Sequence, residues 1–148
     1  MRAYGIGTLY GGVLRAVRAA FPGAAFPGAA VHEALPADGL PGGALCCGLY
    51  DAEVALQTGG RVRTQAVFEV FYAPAQDGPS CAEAADTLLE ALAQIELENG
   101  VRVRGGALEA GRAEKAPLRA AARYAAAFSP ADTAPKMQAA ETGLEVKA

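Results

Sequence analysis

Apolar and polar positions alternate without a break along residues 61–72. Val62, Thr64, Ala66, Phe68, Val70 and Tyr72 fall on one side, and Arg61, Arg63, Gln65 and Glu69 fall on the other. A period of two is the signature of a strand with one buried face. About twelve residues at roughly 3.3 Å each reach about 40 Å, more than a small core requires, so one end is expected to project as a hairpin arm. Gly59-Gly60 supplies the turn, and residues 44–56 supply the partner strand, with Leu45, Cys47 and Leu49 in alternation, an interruption near Asp51, then Val54 and Leu56.

Two segments carry the helical period instead. Residues 4–20 place Leu9, Val13, Leu14 and Val17 on one stripe, with Arg15 and Arg18 on the polar side and Pro22 beyond the end. Ser80 and Glu83 form a capping box that opens a second helix, predicted to run to about Ile95 with Ala84, Ala85, Leu88, Leu89, Leu92 and Ile95 as its apolar stripe. Asn99-Gly100 then marks a turn into a strand over 101–109.

Residues 118–128 set propensity against pattern. Their alanines favour a helix, yet Leu118, Ala120, Ala122, Tyr124, Ala126 and Phe128 alternate with Arg119 and Arg123, and Pro117 and Pro130 bracket a strand-like length. The residues alone leave strand and helix both open, and the resemblance described below tips the reading to strand. Between the first helix and the hairpin lie a tandem Phe-Pro-Gly-Ala-Ala at 21–30, read as a loop insertion, a short edge strand at 30–34 and a Pro/Gly loop at 35–43. The expected fold is α/β (α+β): a mainly antiparallel or mixed sheet packed against two helices. Residues 1–128 form one domain, and 129–148 form an extended C-terminal tail.

Composition narrows the function classes. The chain has 148 residues, of which about a quarter are alanine, so its 52% apolar fraction overstates the bulky core material. A net charge of −3 disfavours a sequence-specific nucleic-acid binder, which presents a basic face. No window approaches the roughly 18 apolar residues of a membrane span, and the first residues lack the apolar core of a signal peptide. A soluble protein made in the cytoplasm is expected.

Candidate chemistry is sparse. Cys46, Cys47 and Cys81 are odd in number and lack Cys-x-x-Cys spacing, so they read as free, mostly buried thiols. The single histidine, His32, has no ligands at metal spacing. Gly5-Ile6-Gly7 lacks both a preceding strand and the nucleotide-loop spacing. Gly105-Gly106, after Arg102 and Arg104, fits a phosphate cradle or, better, a strand bend needing close backbone approach. No catalytic, metal or cofactor residues are assigned. Arg61, Arg63, Arg102, Arg104, Arg119 and Arg123 fall on three predicted strands, where they either face the acidic residues of a neighbouring subunit or stand solvated.

The order of these elements resembles the phage tail terminator (tail completion) proteins of tailed phages and prophages of Gram-positive bacteria. The resemblance rests on the Phe21-Pro22 after the first helix and on Phe68 to Tyr72 with Pro74 behind it. It also rests on the helix from Cys81, on Val103-Arg104-Gly105, on Tyr124 in the last strand, and on Met137 and Glu141 in the tail. Two features depart from that pattern: the duplicated Phe-Pro-Gly-Ala-Ala, and an alanine-rich last strand where relatives carry aromatic and β-branched residues.

The resemblance implies a non-enzymatic virion protein that caps the head-proximal end of a tail tube as a six-membered ring, stops tube polymerisation and offers a head-joining surface. Its implied partners are further copies of itself, the tail tube protein, a sheath protein and the head–tail connector, with no membrane. Assembly would take place in the host cytoplasm. Arg61, Arg63, Glu69, Arg102, Arg104 and Met137 are the expected subunit-interface residues. Six copies would carry a charge of about −18, tolerable in a ring through which DNA passes without being gripped. A different head–tail joining or minor tail protein is one alternative. A small enzyme or ligand-binding domain, with a pocket between Tyr72, Tyr124 and the cysteines, is the other.

Overall fold

The computed structural model describes residues 4–21, 42–76, 78–114 and 116–129. Its central feature is the pairing of β2 (Val62–Tyr72) with β6 (Leu118–Phe128), antiparallel and in unbroken register from Val62↔Phe128 to Tyr72↔Leu118. β1 (Leu45–Leu56) flanks β2, and β5 (Gly106–Gly111) flanks β6, giving a four-stranded antiparallel sheet in the order β1-β2-β6-β5. The alanine-rich segment is therefore a strand, the reading to which the resemblance tipped the conflict between propensity and alternation. Its alanines alternate with larger residues at the period of a pleat, and that tertiary demand overrides helix propensity.

Both helices lie on one face. α1 (Ile6–Ala20) buries Leu9, Val13 and Val17. It runs beside β2 from Thr64, whose hydroxyl donates to the Tyr4 carbonyl at 2.6 Å, to Phe21, whose ring stacks 5.8 Å from Tyr72. Midway, Tyr10 stacks on Phe68 and donates its hydroxyl to the Cys47 carbonyl at 2.9 Å. α2 (Cys81–Leu92) opens with the expected capping box: Ser80 Oγ accepts from the Glu83 amide, and Glu83 Oε1 from the Ser80 amide. Its buried residues are Ala84, Leu88 and Leu92.

Two sequence expectations need correction. α2 stops at Leu92, and Ile95 packs into the core from β3 (Gln94–Glu96) instead. The strand expected over 101–109 is two strands: β4 (Arg102–Arg104), which pairs with β3 in a separate two-stranded sheet, and β5. Gly105 is the reason for both. There the chain crosses the C-terminus of α2 so closely that a Cβ would collide with the Leu92 carbonyl oxygen. The Gly105 amide donates to the Ala93 carbonyl at 2.7 Å, and the Tyr124 hydroxyl donates to that of Leu92 at 2.5 Å. Two carbonyls that a helix end leaves without internal donors are thus satisfied from β6 and from the β4–β5 bend. The bend, not a phosphate cradle, is what Gly105-Gly106 serves.

The β1–β2 hairpin is present, with a Thr58–Gly60 turn and a register shift between Leu49 and Asp51 where the interruption was expected. It is not a free two-stranded arm, because β6 accompanies β2 to Phe128. What runs outside helix cover is the distal half of edge strand β1, where Val54 is 36% and Leu56 65% exposed. The duplicated Phe-Pro-Gly-Ala-Ala beyond Phe21, the segment 30–34 expected as an edge strand, His32, Met137 and the residues beyond Ser129 lie outside the described residues.

The bend supplies a stability test. Gly105→Ala forces the backbone away from Leu92 and is expected to destabilise by about 1–3 kcal/mol, the usual cost of overpacking a tight contact. Tyr124→Phe keeps the ring, removes one donor to a buried carbonyl and is expected to cost about 1–2 kcal/mol. Urea denaturation of both variants, read as a lowered midpoint at unchanged slope, checks the pair.

Candidate functional site

The two helices cover only one side of the sheet. On the other side β2 presents Arg63, Gln65, Val67, Glu69 and Phe71, and β6 presents Arg119, Ala121, Arg123, Ala125 and Ala127. Period-two geometry forces this division once Phe68 and Tyr124 are committed to the core. Arg61, just before β2, stands at the same end as Arg63, and both are exposed.

Arg119 is the hub of this face. Its Nε donates to Glu69 Oε2 on β2, and its Nη1 donates to Glu109 Oε1 on β5 at 2.9 Å. Its guanidinium carbon also sits 5.3 Å from the centroid of the Tyr50 ring on β1. One side chain on β6 thereby touches all three other strands. Burial disfavours the charged form of Arg119, but the two carboxylates outweigh it and hold its pKa above its already high ordinary value. Around it lies a shallow depression of about 440 Å³, bordered also by Asp51, Ala107 and Arg123. Arg123, Asp51, Arg61 and Arg63 carry no ion pair or hydrogen-bonded side-chain partner among the described residues.

The expected interface residues separate. Arg61, Arg63 and Glu69 share the helix-free face. Arg102 and Arg104 do not: they flank buried Val103 on β4, whose partner β3 packs on α1. Reading 101–109 as one strand put them on the wrong sheet. Arg119 was noted only as one arginine among six, and Tyr50 and Glu109 were missed. The only local signal was their position on strands, since the strand neighbours that bring them together are distant in sequence.

The other titratable side chains of note among the described residues are buried thiols and core tyrosines. Burial and then the nearby Glu69 charge push the Cys46 thiol up to about 11, and burial first, then Cys46, pushes Cys47 up to about 12. Tyr72 and Tyr124, the walls of the pocket an enzyme reading would need, are core rings with hydroxyls donated to the Pro79 and Leu92 carbonyls. Burial raises the pKa of both. Gly5 is the N-cap of α1, at φ +85° and packed against the Phe128 ring. Among the described residues no three His, Cys, Asp or Glu side chains group as metal ligands, and no helix is long and apolar enough to cross a membrane.

No family model matches the chain, and no curated protein matches it. Among solved structures, a chain from the virion of a native gene transfer agent (GTA) particle is similar. Its sequence identity is 25%, with a TM-score of 0.45, over 83% of this chain and 96% of that one.

The thiols provide a pH test with a definite sign. Raised pKa values in the folded state mean that the unfolded chain gives up these protons first, starting near the ordinary thiol value of 9.0. Above that pH the unfolded state binds fewer protons, so stability is expected to fall as pH rises from about 9 toward the folded values. Thermal melts across pH 7 to about 11 check this. Replacing both Cys46 and Cys47 with Ala should flatten the decline over its first part.

Proposed function

We propose that this chain is a structural protein of a phage-like virion, and specifically a tail terminator that caps the head-proximal end of the tail tube as a ring of identical copies. The observation that carries this reading is the helix-free sheet face. Arg119 touches all three other strands of the sheet, and on this face stand both positive and negative groups with no ion pair among the described residues. Arg61, Arg63 and Arg123 supply the positive charge, and Asp51 and Glu53 the negative. A face of mixed sign is suited to a neighbour whose charges are arranged in opposition, and such complementarity fixes register between subunits. A ring needs heterologous contacts, in which one patch meets a different patch on the next copy, and it closes when the rotation between copies divides a full turn.

The order of elements supports the same reading. An α1, a β1–β2 hairpin, an α2 with its capping box and a Tyr-bearing final strand follow one another as in the tail terminator pattern. The partners under this proposal are further copies in a six-membered ring, the tube protein beneath it and the head–tail connector above, with a sheath protein in a contractile tail. The site is a docking surface and performs no chemistry. Arg61, Arg63 and Glu69 remain its proposed contact residues, joined by Arg119, Arg123 and Tyr50.

Electron microscopy of particles made without this gene tests the role. Overlong or variable tails lacking heads are the expected result. Tails of normal length that fail to join heads would move the assignment to a joining protein, and unaffected particles would remove the virion reading. For the surface, Arg63→Glu with Arg123→Glu is expected to shift the purified protein from oligomer to monomer in light scattering without lowering its melting temperature. An unchanged oligomer would clear this face of the role.

A further inference from the structure

We propose that the β3–β4 hairpin of one copy docks on the helix-free face of the next, Arg102 meeting Asp51 and Arg104 meeting Glu53. The proposal rests on the ring reading above and names the second patch that a heterologous contact needs. Arg102 and Arg104 are exposed, flank buried Val103 and carry no ion pair among the described residues. Val103 packs into the helix-side core, so both arginines point outward from that side of their own copy. Asp51 and Glu53, also exposed and without an ion pair among the described residues, pair in register with Val67 and Gln65 and share the helix-free face.

The two patches carry one pattern with the signs reversed. On the hairpin, two guanidiniums stand two residues apart on one strand face, about 6.6 Å along the strand. Glu96 lies opposite Arg102 on β3 and makes no ion pair with it. On the sheet, two carboxylates stand two residues apart on β1, and Arg123 lies on the row of Asp51, with Val67 between them.

The patterns also have the right hand to superpose. An L-residue whose side chain faces the viewer, on a strand running upward, directs its main-chain N–H and C=O to the right. The Gln57 amide donates to the Arg61 carbonyl, so by alternation Asp51 and Glu53 also direct theirs toward β2, which lies to their right. In the hairpin the Leu97 amide donates to Val101 and the Gly105 amide to Ala93. Arg102 and Arg104 therefore direct theirs away from β3, which lies to their left. Turning the hairpin over to face the sheet moves β3 to the right. With β4 laid along β1 in the same direction, Arg102 covers Asp51, Arg104 covers Glu53, and Glu96 falls on the side of Arg123. Exposed ion pairs are individually weak. Three in a fixed pattern set the register between copies and disfavour other placements.

Light scattering of the full chain over a range of concentrations tests the contact. Arg102→Glu with Arg104→Glu is expected to weaken self-association by about tenfold or more at an unchanged melting temperature. Adding Asp51→Arg with Glu53→Arg should restore association. Adding Asp86→Arg with Glu90→Arg on α2 makes the same change in net charge and should restore nothing. Association that survives reversal of Arg102 and Arg104 would overturn this contact and leave the ring to other surfaces. Equal restoration by both double replacements would overturn it too, since net charge alone would then govern association. A natural chain that stays monomeric would also count against it, whereas the tails of particles made without this gene read the ring role independently.

Discussion

The pairing of β2 with β6 is the constraint on which the rest of the molecule depends. Eleven residues of each strand match without a slip, so every side chain on either strand has its face assigned by one register. A slip of β6 by a single residue against β2 would send Leu118, Ala120, Ala122 and Tyr124 into water and Arg119 and Arg123 into the core. The small residues of β6 matter here. Ala120 and Ala122 are buried on the helix side and leave room for α2 to approach, so that Tyr124 reaches the Leu92 carbonyl and Gly105 the Ala93 carbonyl. Alanine contributes little buried area of its own. Its contribution is space, filled by Phe68, Leu88, Leu92 and Ile95.

Elements governed by local rules were legible in the sequence. β2 announced itself by uninterrupted alternation, α2 by its capping box and stripe, and the hairpin by Gly59-Gly60. β6 was only half legible: its alternation stood against alanine propensity, and the resemblance tipped the choice to strand. The end of α2 and the break in the strand over 101–109 were not legible. Both arise at Gly105, where the backbone passes over a helix end and under Tyr124, a contact between three segments that no local window contains. Ile95 extends the helical stripe of α2 in perfect spacing, yet it enters the same core from a strand. The period of burial does not by itself tell which element carries the residue.

The candidate site was legible only in part, for the same reason. Arg61, Arg63 and Glu69 lie on the strand whose faces alternation had already separated, and they share a face. Arg102 and Arg104 were misplaced because their strand was assigned to the wrong sheet. The hub escaped notice because Arg119, Glu69, Glu109 and Tyr50 come from four strands and converge only through the order β1-β2-β6-β5. Counting arginines on strands identifies a charged surface; only the strand order identifies which arginine holds it together.

That hub also sits beside two irregularities that share one line across the sheet. Asp51 pairs with Val67, Val67 with Arg123, and Arg123 with Gly106. The register shifts of β1, between Leu49 and Asp51, and of β5, between Gly106 and Glu109, both begin on this row. In β5 the shift holds Ala107 at φ +49°, a left-handed conformation that costs a non-glycine residue on the order of 1 kcal/mol. A bulge bends its strand and re-aims the side chains beside it. Bulges on the two edges at one level therefore bend the sheet from both sides, while the central β2–β6 pair stays regular. They also bring Tyr50 and Glu109 inward from the edges to where Arg119 can hold both. The ion pairs alone would contribute little, since Glu109 is well exposed and solvent screens such pairs. Their weight is geometric: with the Tyr50 contact, they tie both bulged edge strands to the regular central pair through one side chain.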